Sequence, residues 1–275
     1  MNIGDLTITS LDTITAFDVT SGAYKFTLDE LQNATISQTQ EKTDITGKGG
    51  RKLSSLKKNK AVTISGTNGL ISGGLLETQT GGTFTQKDTT VMWTDYLTVN
   101  TQTTGDGGSA VTTYSAKTAY KAVGTTGSEI KAIYAKNDNG TLGTKYEQDA
   151  EAAKGKFTYD PSTKTITFAE NVGTEIVVFY ERKISASVLE NKSDSYSGKA
   201  QLYVDATAED KCANVYHVQF YIPKADFNGE FSFEMGTDQS VHAFEAESLA
   251  GGCGTNAGSN LWTYTVFGAT AADVA

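Results

Sequence analysis

Residues 41–81 read EKTDITGKGGRKLSSLKKNKAVTISGTNGLISGGLLETQTG. Their first part holds Lys48, Arg51, Lys52, Lys57, Lys58 and Lys60, with no acid between Lys48 and Lys60. Gly47, Gly49 and Gly50 open that run. Glycine admits backbone shapes closed to other residues, so the stretch reads as a long basic loop rather than a helix. Ala61–Ser65 then alternates small or polar with apolar side chains, the pattern of a short strand. Thr67 or Asn68 is placed to cap a helix over 70–80, whose Leu70, Ile71, Leu75 and Leu76 give one apolar face. Gly73 and Gly74 weaken that helix, and Gly81 and Gly82 stop it.

The rest of the chain is strand-like. Residues 1–20 are polar with scattered apolar positions and read as a strand or a flexible arm. Thr27 precedes what reads as a single capped turn over Leu28–Leu31, and Asn33–Thr39 is a strand. Thr90–Val99 is a long strand; Asp106-Gly107-Gly108 turns it, and Val111–Tyr120 returns as its hairpin partner. Residues 118–182 read as a separate β-rich insert. In it Ile130, Ala132 and Tyr134 share one face, and Asp138-Asn139-Gly140 and Asp160-Pro161-Ser162 are turns. The unbroken apolar run Ile176–Tyr180 reads as buried on both faces. In the last third, Ala200–Thr207 is a strand. Tyr216, Val218, Phe220 and Ile222 share a strand face that Pro223 ends. Phe231, Phe233 and Met235 point inward there, with Glu230, Ser232 and Glu234 outward. A strand follows over 240–248, Gly251–Gly254 is a loop, and Asn260–Phe267 is the final strand. One-sided strands of this kind make a mainly β protein, an antiparallel β-sandwich with one short α-helix.

At 275 residues the chain is long enough for a large core, and only Pro161 and Pro223 interrupt it. The net charge of −9 argues against general nucleic-acid coating. That charge is uneven. Nine acids lie between Asp205 and Leu249 against Lys211 and Lys224, opposite in sign to the 48–60 run. Opposite patches on one chain favour head-to-tail contact between copies, which closes into rings or runs on as filaments. The competing reading is two solvated surfaces. Cys212 and Cys253 are too few for a disulfide scaffold, and the start has neither a basic region nor an apolar core of a signal peptide. No apolar run approaches the length of a membrane span, so the sequons at Asn33, Asn139 and Asn191 carry no weight. The chain reads as soluble, made in a cytoplasm, with reduced thiols.

The sequence holds no G-x-S-x-G, P-loop, H-E-x-x-H or C-x-x-C. His217 and His242 are the residues able to act as bases near neutrality, and both sit in strand patterns as sheet-face histidines. Cys212, His217, His242 and Cys253 match no compact zinc spacing. Asn137–Gly140 resembles part of a calcium loop but has Ala135 where the first acid belongs, and a turn explains it. Glu245 and Glu247 share a strand face as glycosidase acids do, and as acids on any solvated sheet do. The expectation is a protein that is not an enzyme, with no catalytic residue, metal or cofactor.

Three stretches resemble the major tail tube proteins of long-tailed, non-contractile bacteriophages. One is Ile45-Thr46-Gly47-Lys48-Gly49-Gly50 with Lys52-Leu53 and the strand and helix to Thr80-Gly81. The second is Phe220–Ala225 followed by Gly229-Glu230-Phe231, and the third is Leu261–Val266. The resemblance covers roughly 24–100 and 183–267. It implies a tail-tube-like sandwich over 1–117 and 183–275 with a basic arm at 41–60, and an inserted β-rich domain at 118–182 similar to small immunoglobulin-like modules. It also implies homo-hexameric rings stacked into a tube, located in the virion tail and assembled in the host cytoplasm. Implied partners are a tape measure protein, tail terminator or tip proteins, and DNA that passes through the lumen without specific binding; no membrane is involved. Lys48, Gly49, Gly50, Arg51, Lys52, Lys57 and Lys58 would form the inter-subunit arm. Glu230, Glu234, Glu245 and Glu247 would line the lumen, where a negative wall repels phosphate. Two other readings share parts of the pattern. One is a head decoration or other virion β protein. The other is a carbohydrate-binding sandwich using Trp93, Tyr114 and Tyr120 as a platform.

Overall fold

The computed structural model describes residues 5–104, 111–234, 241–250 and 259–268. The chain divides into two compact units, one formed by 1–84 with 189–275 and the other by 85–188. The expected turn at 106–108, the loop at 251–254 and Met235 lie outside the described residues.

The first unit is one curled, antiparallel, sandwich-like sheet. Its strands are β1 (Leu6–Asp18), β2 (Tyr24–Leu28), β3 (Leu31–Thr46), β4 (Lys52–Asn68), β13 (Lys199–Asp210), β14 (Val215–Phe227), β15 (Phe233–Glu234), β16 (Val241–Ser248) and β17 (Thr263–Gly268). The order is β2-β1-β13-β14-β16-β4-β3, with β15 added to β16 and β17 to β14. Alternation fixes the register: Ile14 and Ala16, Leu202 and Val204, Ile64, Phe244 and Ala246 face one core, which β1 and β3 close from opposite sides. The expected capped turn at 28–31 is instead the end of β2 and the entry to β3. Phe26 and Leu28 alternate into the core, and that burial outweighs the local turn signal. Nor does Pro223 end its strand. One residue of β13, Gln201, faces both Pro223 and Lys224, so the proline sits in a β-bulge where no ladder N–H is required, and β14 continues to Phe227.

Helix α1 (Gly73–Thr80) plugs the open side of this core through Leu75, which is fully buried. The helix starts later than its sequence suggests. Ser72, not Thr67 or Asn68, is the N-cap, and its hydroxyl accepts from the Leu75 N–H at 3.3 Å. Leu70 and Ile71 precede the helix and are exposed, so the four-residue apolar face does not form. Gly74 explains the glycine pair. A Cβ there would stand 2.5 Å from the Lys25 carbonyl oxygen, so only glycine lets the first turn seat on β2. At the other end Gly81 (φ 68°) closes the helix, its N–H bonding the Glu77 carbonyl at 2.9 Å.

The second unit contains β5 (Thr85–Thr98), β6 (Asn100–Thr104), β7 (Val111–Lys117), β8 (Ile130–Lys136), β9 (Leu142–Gln148), β10 (Lys156–Asp160), β11 (Thr165–Phe168) and β12 (Glu175–Val188). They run β5-β12-β8-β9-β10-β11-β7-β6, antiparallel except for the β9–β10 pair. This unit is wider than the expected 118–182 insert. β12 pairs with β5 along its whole length, from Glu175↔Thr98 to Val188↔Thr85, and β7 pairs with β11, so 85–117 and 183–188 belong here. Likewise β5 takes β12 as partner, and the 111–117 strand pairs with β6 and β11 instead. A register shift in β8 turns Ile130 and Ile133 inward together, in place of Ile130, Ala132 and Tyr134. At the core, the buried Tyr180 hydroxyl donates to Asp95 at 2.8 Å; Asp95 also accepts from Trp93 Nε1 and the Ala119 N–H. Burial pushes the Tyr180 phenol far above its ordinary value.

Candidate functional site

The basic run at 41–60 is not a loop. β3 and β4 pair through it as a long hairpin, from Gln40↔Lys60 to Thr46↔Lys52. The turn is confined to Gly47–Arg51, where Gly49 (φ 80°) and Gly50 (φ 75°) take left-handed conformations and the Gly47 N–H bonds the Arg51 carbonyl at 2.7 Å. Threonine, isoleucine and leucine at alternate positions supply the strand preference that the glycines masked. β16 leaves β4 at Ser248↔Val62, so beyond Ala61 the hairpin has no third strand among the described residues. Asn59 marks the point of departure. It is an extra residue with φ 51°, forming a bulge opposite Gln40 and Glu41, and its amide donates to Glu41 at 2.7 Å. About six residue pairs then extend from the sheet, roughly 20 Å at strand spacing.

This arm is amphipathic. Cross-strand pairs place Thr43, Ile45, Ser54 and Leu56 on one face and Lys42, Asp44, Ser55 and Lys57 on the other. Leu53, the extra residue of a second bulge, packs over Gly47. Ile45, Leu53 and Leu56 remain 51, 66 and 57% exposed. On the basic face Lys52 bonds Asp44 at 2.8 Å, which holds its ammonium pKa above the ordinary value. Lys58 lies 3.9 Å from Glu41. Lys48, Arg51 and Lys57 make no ion pair among the described residues.

Of the candidate acids, Glu245 and Glu247 lie on the outward face of β16. Glu245 pairs across β4 with Ser65 and then Thr35 on β3; Glu247 pairs with Thr63 and then Ser37. The alternate rows, Phe244–Gly66–Ala34 and Ala246–Ile64–Ile36, point into the core. Both glutamates are exposed, as is Glu230. Glu230 and Glu245 rim an open groove of about 470 Å³ whose floor includes Ser65, Gly66 and Phe244. Glu234 is placed by its backbone pairing with Val241. The result is a surface of hydroxyls and carboxylates, polar and negative.

The other sequence candidates are held structurally. His242 is buried. Its Nδ1 accepts the Ser72 N–H at 3.3 Å and its Nε2–H donates to Gln79 Oε1 at 2.7 Å, while Gln79 Nε2 donates to the Ala243 carbonyl at 3.0 Å. It pins both ends of α1 to β16, a role its strand pattern gives no sign of, and burial lowers its pKa. His217 is exposed and stacks on Phe267 at 5.6 Å. Cys212 is exposed in the β13–β14 turn, and Cys253 lies outside the described residues. Trp93 and Tyr120 do not form an open platform. The Arg182 guanidinium lies 4.2 Å from one ring and 3.6 Å from the other, and Tyr114 packs against the core. Among the described residues no helix is long and apolar enough to cross a membrane.

A β-rich subunit with an unsupported amphipathic arm and an acidic, hydroxyl-lined sheet face has the make-up of a tube-like structural protein, of the phage-derived kind. The YomU/Tube protein family matches the chain over residues 6–261, nearly its full length, and the chain belongs to that family. No curated protein matches it.

Proposed function

We propose that the chain is the subunit of a phage tail tube, in which six copies form a ring, rings stack, and DNA passes through the lumen into the host. The observation that carries this reading is the arm. A two-stranded hairpin without a third strand is marginal in water, and this one exposes three large apolar side chains beside cations, Lys48, Arg51 and Lys57, that make no ion pair among the described residues. Such a hairpin is maintained when a neighbouring copy covers it. The sheet supports the same reading: β3 runs its 16 residues along an edge, and an edge that long invites a neighbour's strand. The outward hydroxyl and glutamate rows suit a channel wall, because negative charge keeps a sliding polyanion from adhering. In this role the protein is a virion tail component and not an enzyme. It touches the tape measure protein inside the tube and terminator or tip proteins at its ends.

Arg51→Glu combined with Lys52→Glu tests this reading. Both side chains are exposed, so the subunit keeps its fold and melting temperature. Tube formation is lost because the arm then carries the wrong charge for its dock. Normal tubes from the double variant contradict the arm's role.

A further inference from the structure

β4 has the arm at one end and a second exposed apolar surface at the other. Lys52 begins the strand beside the arm's tip; Asn68 ends it and leads directly into Leu70 and Ile71, which are 57 and 52% exposed. The two ends lie on the order of 50 Å apart at strand spacing, so one stiff strand cannot fold its arm back onto its own distal turn. The turn is well held. Asn68 Nδ2 donates to the Leu70 carbonyl at 2.7 Å, and the Gly69 N–H bonds the Glu30 carbonyl at 2.7 Å. Phe84, also exposed, lies against Gly73 at the start of α1, two residues beyond Ile71. Asp29 and Glu30 border the patch, are exposed, and make no ion pair among the described residues. The patch is therefore apolar with an acidic rim, where the arm is apolar with a basic rim, and both stand exposed among the described residues.

We infer that the Leu70–Ile71 turn, with Phe84 and the carboxylates of Asp29 and Glu30, is the dock for the hairpin tip of a second copy of this chain. The inference rests on the tube reading and names the surface that the arm engages. Leu53, Leu56 and Ile45 of one copy cover Leu70 and Ile71 of the next, while Lys48, Arg51 and Lys57 face Asp29 and Glu30. Because donor and dock sit at opposite ends of one strand, the contact is heterologous and repeats by translation along β4, giving an open-ended stack. The acidic groove at Glu230 and Glu245 is the rival dock; it has charge, but its aromatic lining is the half-buried Phe231 and the buried Phe244.

Disulfide trapping in the full chain distinguishes them. In a Cys212→Ser, Cys253→Ser background, Leu53→Cys paired with Ile71→Cys gives a ladder of covalent oligomers on a non-reducing gel, and Leu53→Cys paired with Ser232→Cys does not. Asp29→Lys with Glu30→Lys abolishes assembly, and adding Arg51→Glu with Lys57→Glu restores it. Tubes under the microscope with a ladder only through Ser232→Cys overturn this dock and leave the tube reading standing. Absence of any assembly from the cysteine-free parent, when the natural chain also fails to assemble, overturns the tube reading on which the dock depends.

Discussion

Replacing Leu53 and Leu56 together with serine separates what the arm does for the subunit from what it does for the assembly. Within the subunit these side chains are already 66 and 57% exposed. Full burial of a leucine side chain is worth about 1.5–3 kcal/mol. The unburied share is what assembly can still cover, about 1–2 kcal/mol per residue, or roughly 2–4 kcal/mol for the pair. At 1.4 kcal/mol per factor of ten, each arm contact weakens by roughly 30- to 700-fold. The subunit loses only the covered remainder, about 1–2 kcal/mol for the pair. The assay is the critical concentration for polymerisation, measured by light scattering across a dilution series, beside a thermal melt of the same protein below that concentration. The expected result is a melt within a few degrees of the natural chain and a critical concentration raised by at least ten-fold. An unchanged critical concentration refutes the arm argument; a collapsed melt shows that the two leucines belong to the subunit's own core.

Three further outcomes follow from the geometry. Gly81→Ala places a Cβ 2.1 Å from the Tyr196 carbonyl at a residue with φ 68°, so the first unit loses roughly 2–4 kcal/mol and its melting temperature falls by several degrees. A calorimetric trace unchanged by this substitution contradicts the close approach. His242 has a pKa lowered from 6.5 by burial, so the unfolded chain binds its proton first on acidification. The stability it contributes is complete above pH 6.5 and declines as pH falls below that value toward the folded pKa. His242→Gln lowers the melting temperature at neutral pH and flattens that acid slope; an equally steep slope in the variant assigns it to other groups. Glu245→Lys with Glu247→Lys leaves the fold intact, since both are exposed, and under the proposed tube reading turns a repulsive wall into an adhesive one. Variant tubes then retain DNA at low salt and release it as salt rises, and equal DNA exclusion by variant and natural tubes removes this face from the lumen.

Much of this architecture is legible in the sequence because it depends on short-range alternation. The inward rows at Ile64, Phe244 and Ala246, the outward Glu245 and Glu247, and the Gly81 stop of α1 are all visible as period-two patterns or punctuation. The misreadings share a physical origin in long-range pairing. Gly47, Gly49 and Gly50 signal a loop, yet the turn takes up only Gly47–Arg51, because β3 supplies partners for the lysine-rich residues that follow. Pro223 signals a strand end, but a bulge against Gln201 makes its missing N–H harmless. The boundary at 117/118 follows local composition, whereas the β5–β12 ladder ties 85–98 to 175–188 across the whole second unit. His242 reads as a sheet-face histidine, and its contact with Ser72 and Gln79 depends on a helix far away in the chain. The arm's basic run is plain in the sequence, but its apolar face is not. Ile45 and Leu56 are brought together by hairpin register, which only the bulges at Asn59 and Leu53 define.

The most direct measurement is electron microscopy of the purified natural chain across a range of concentration and salt. The account predicts hollow tubes of stacked six-fold rings, shortening as salt screens the arm. Compact trimers or single subunits at every concentration, with no ring or tube on the grid, contradict it.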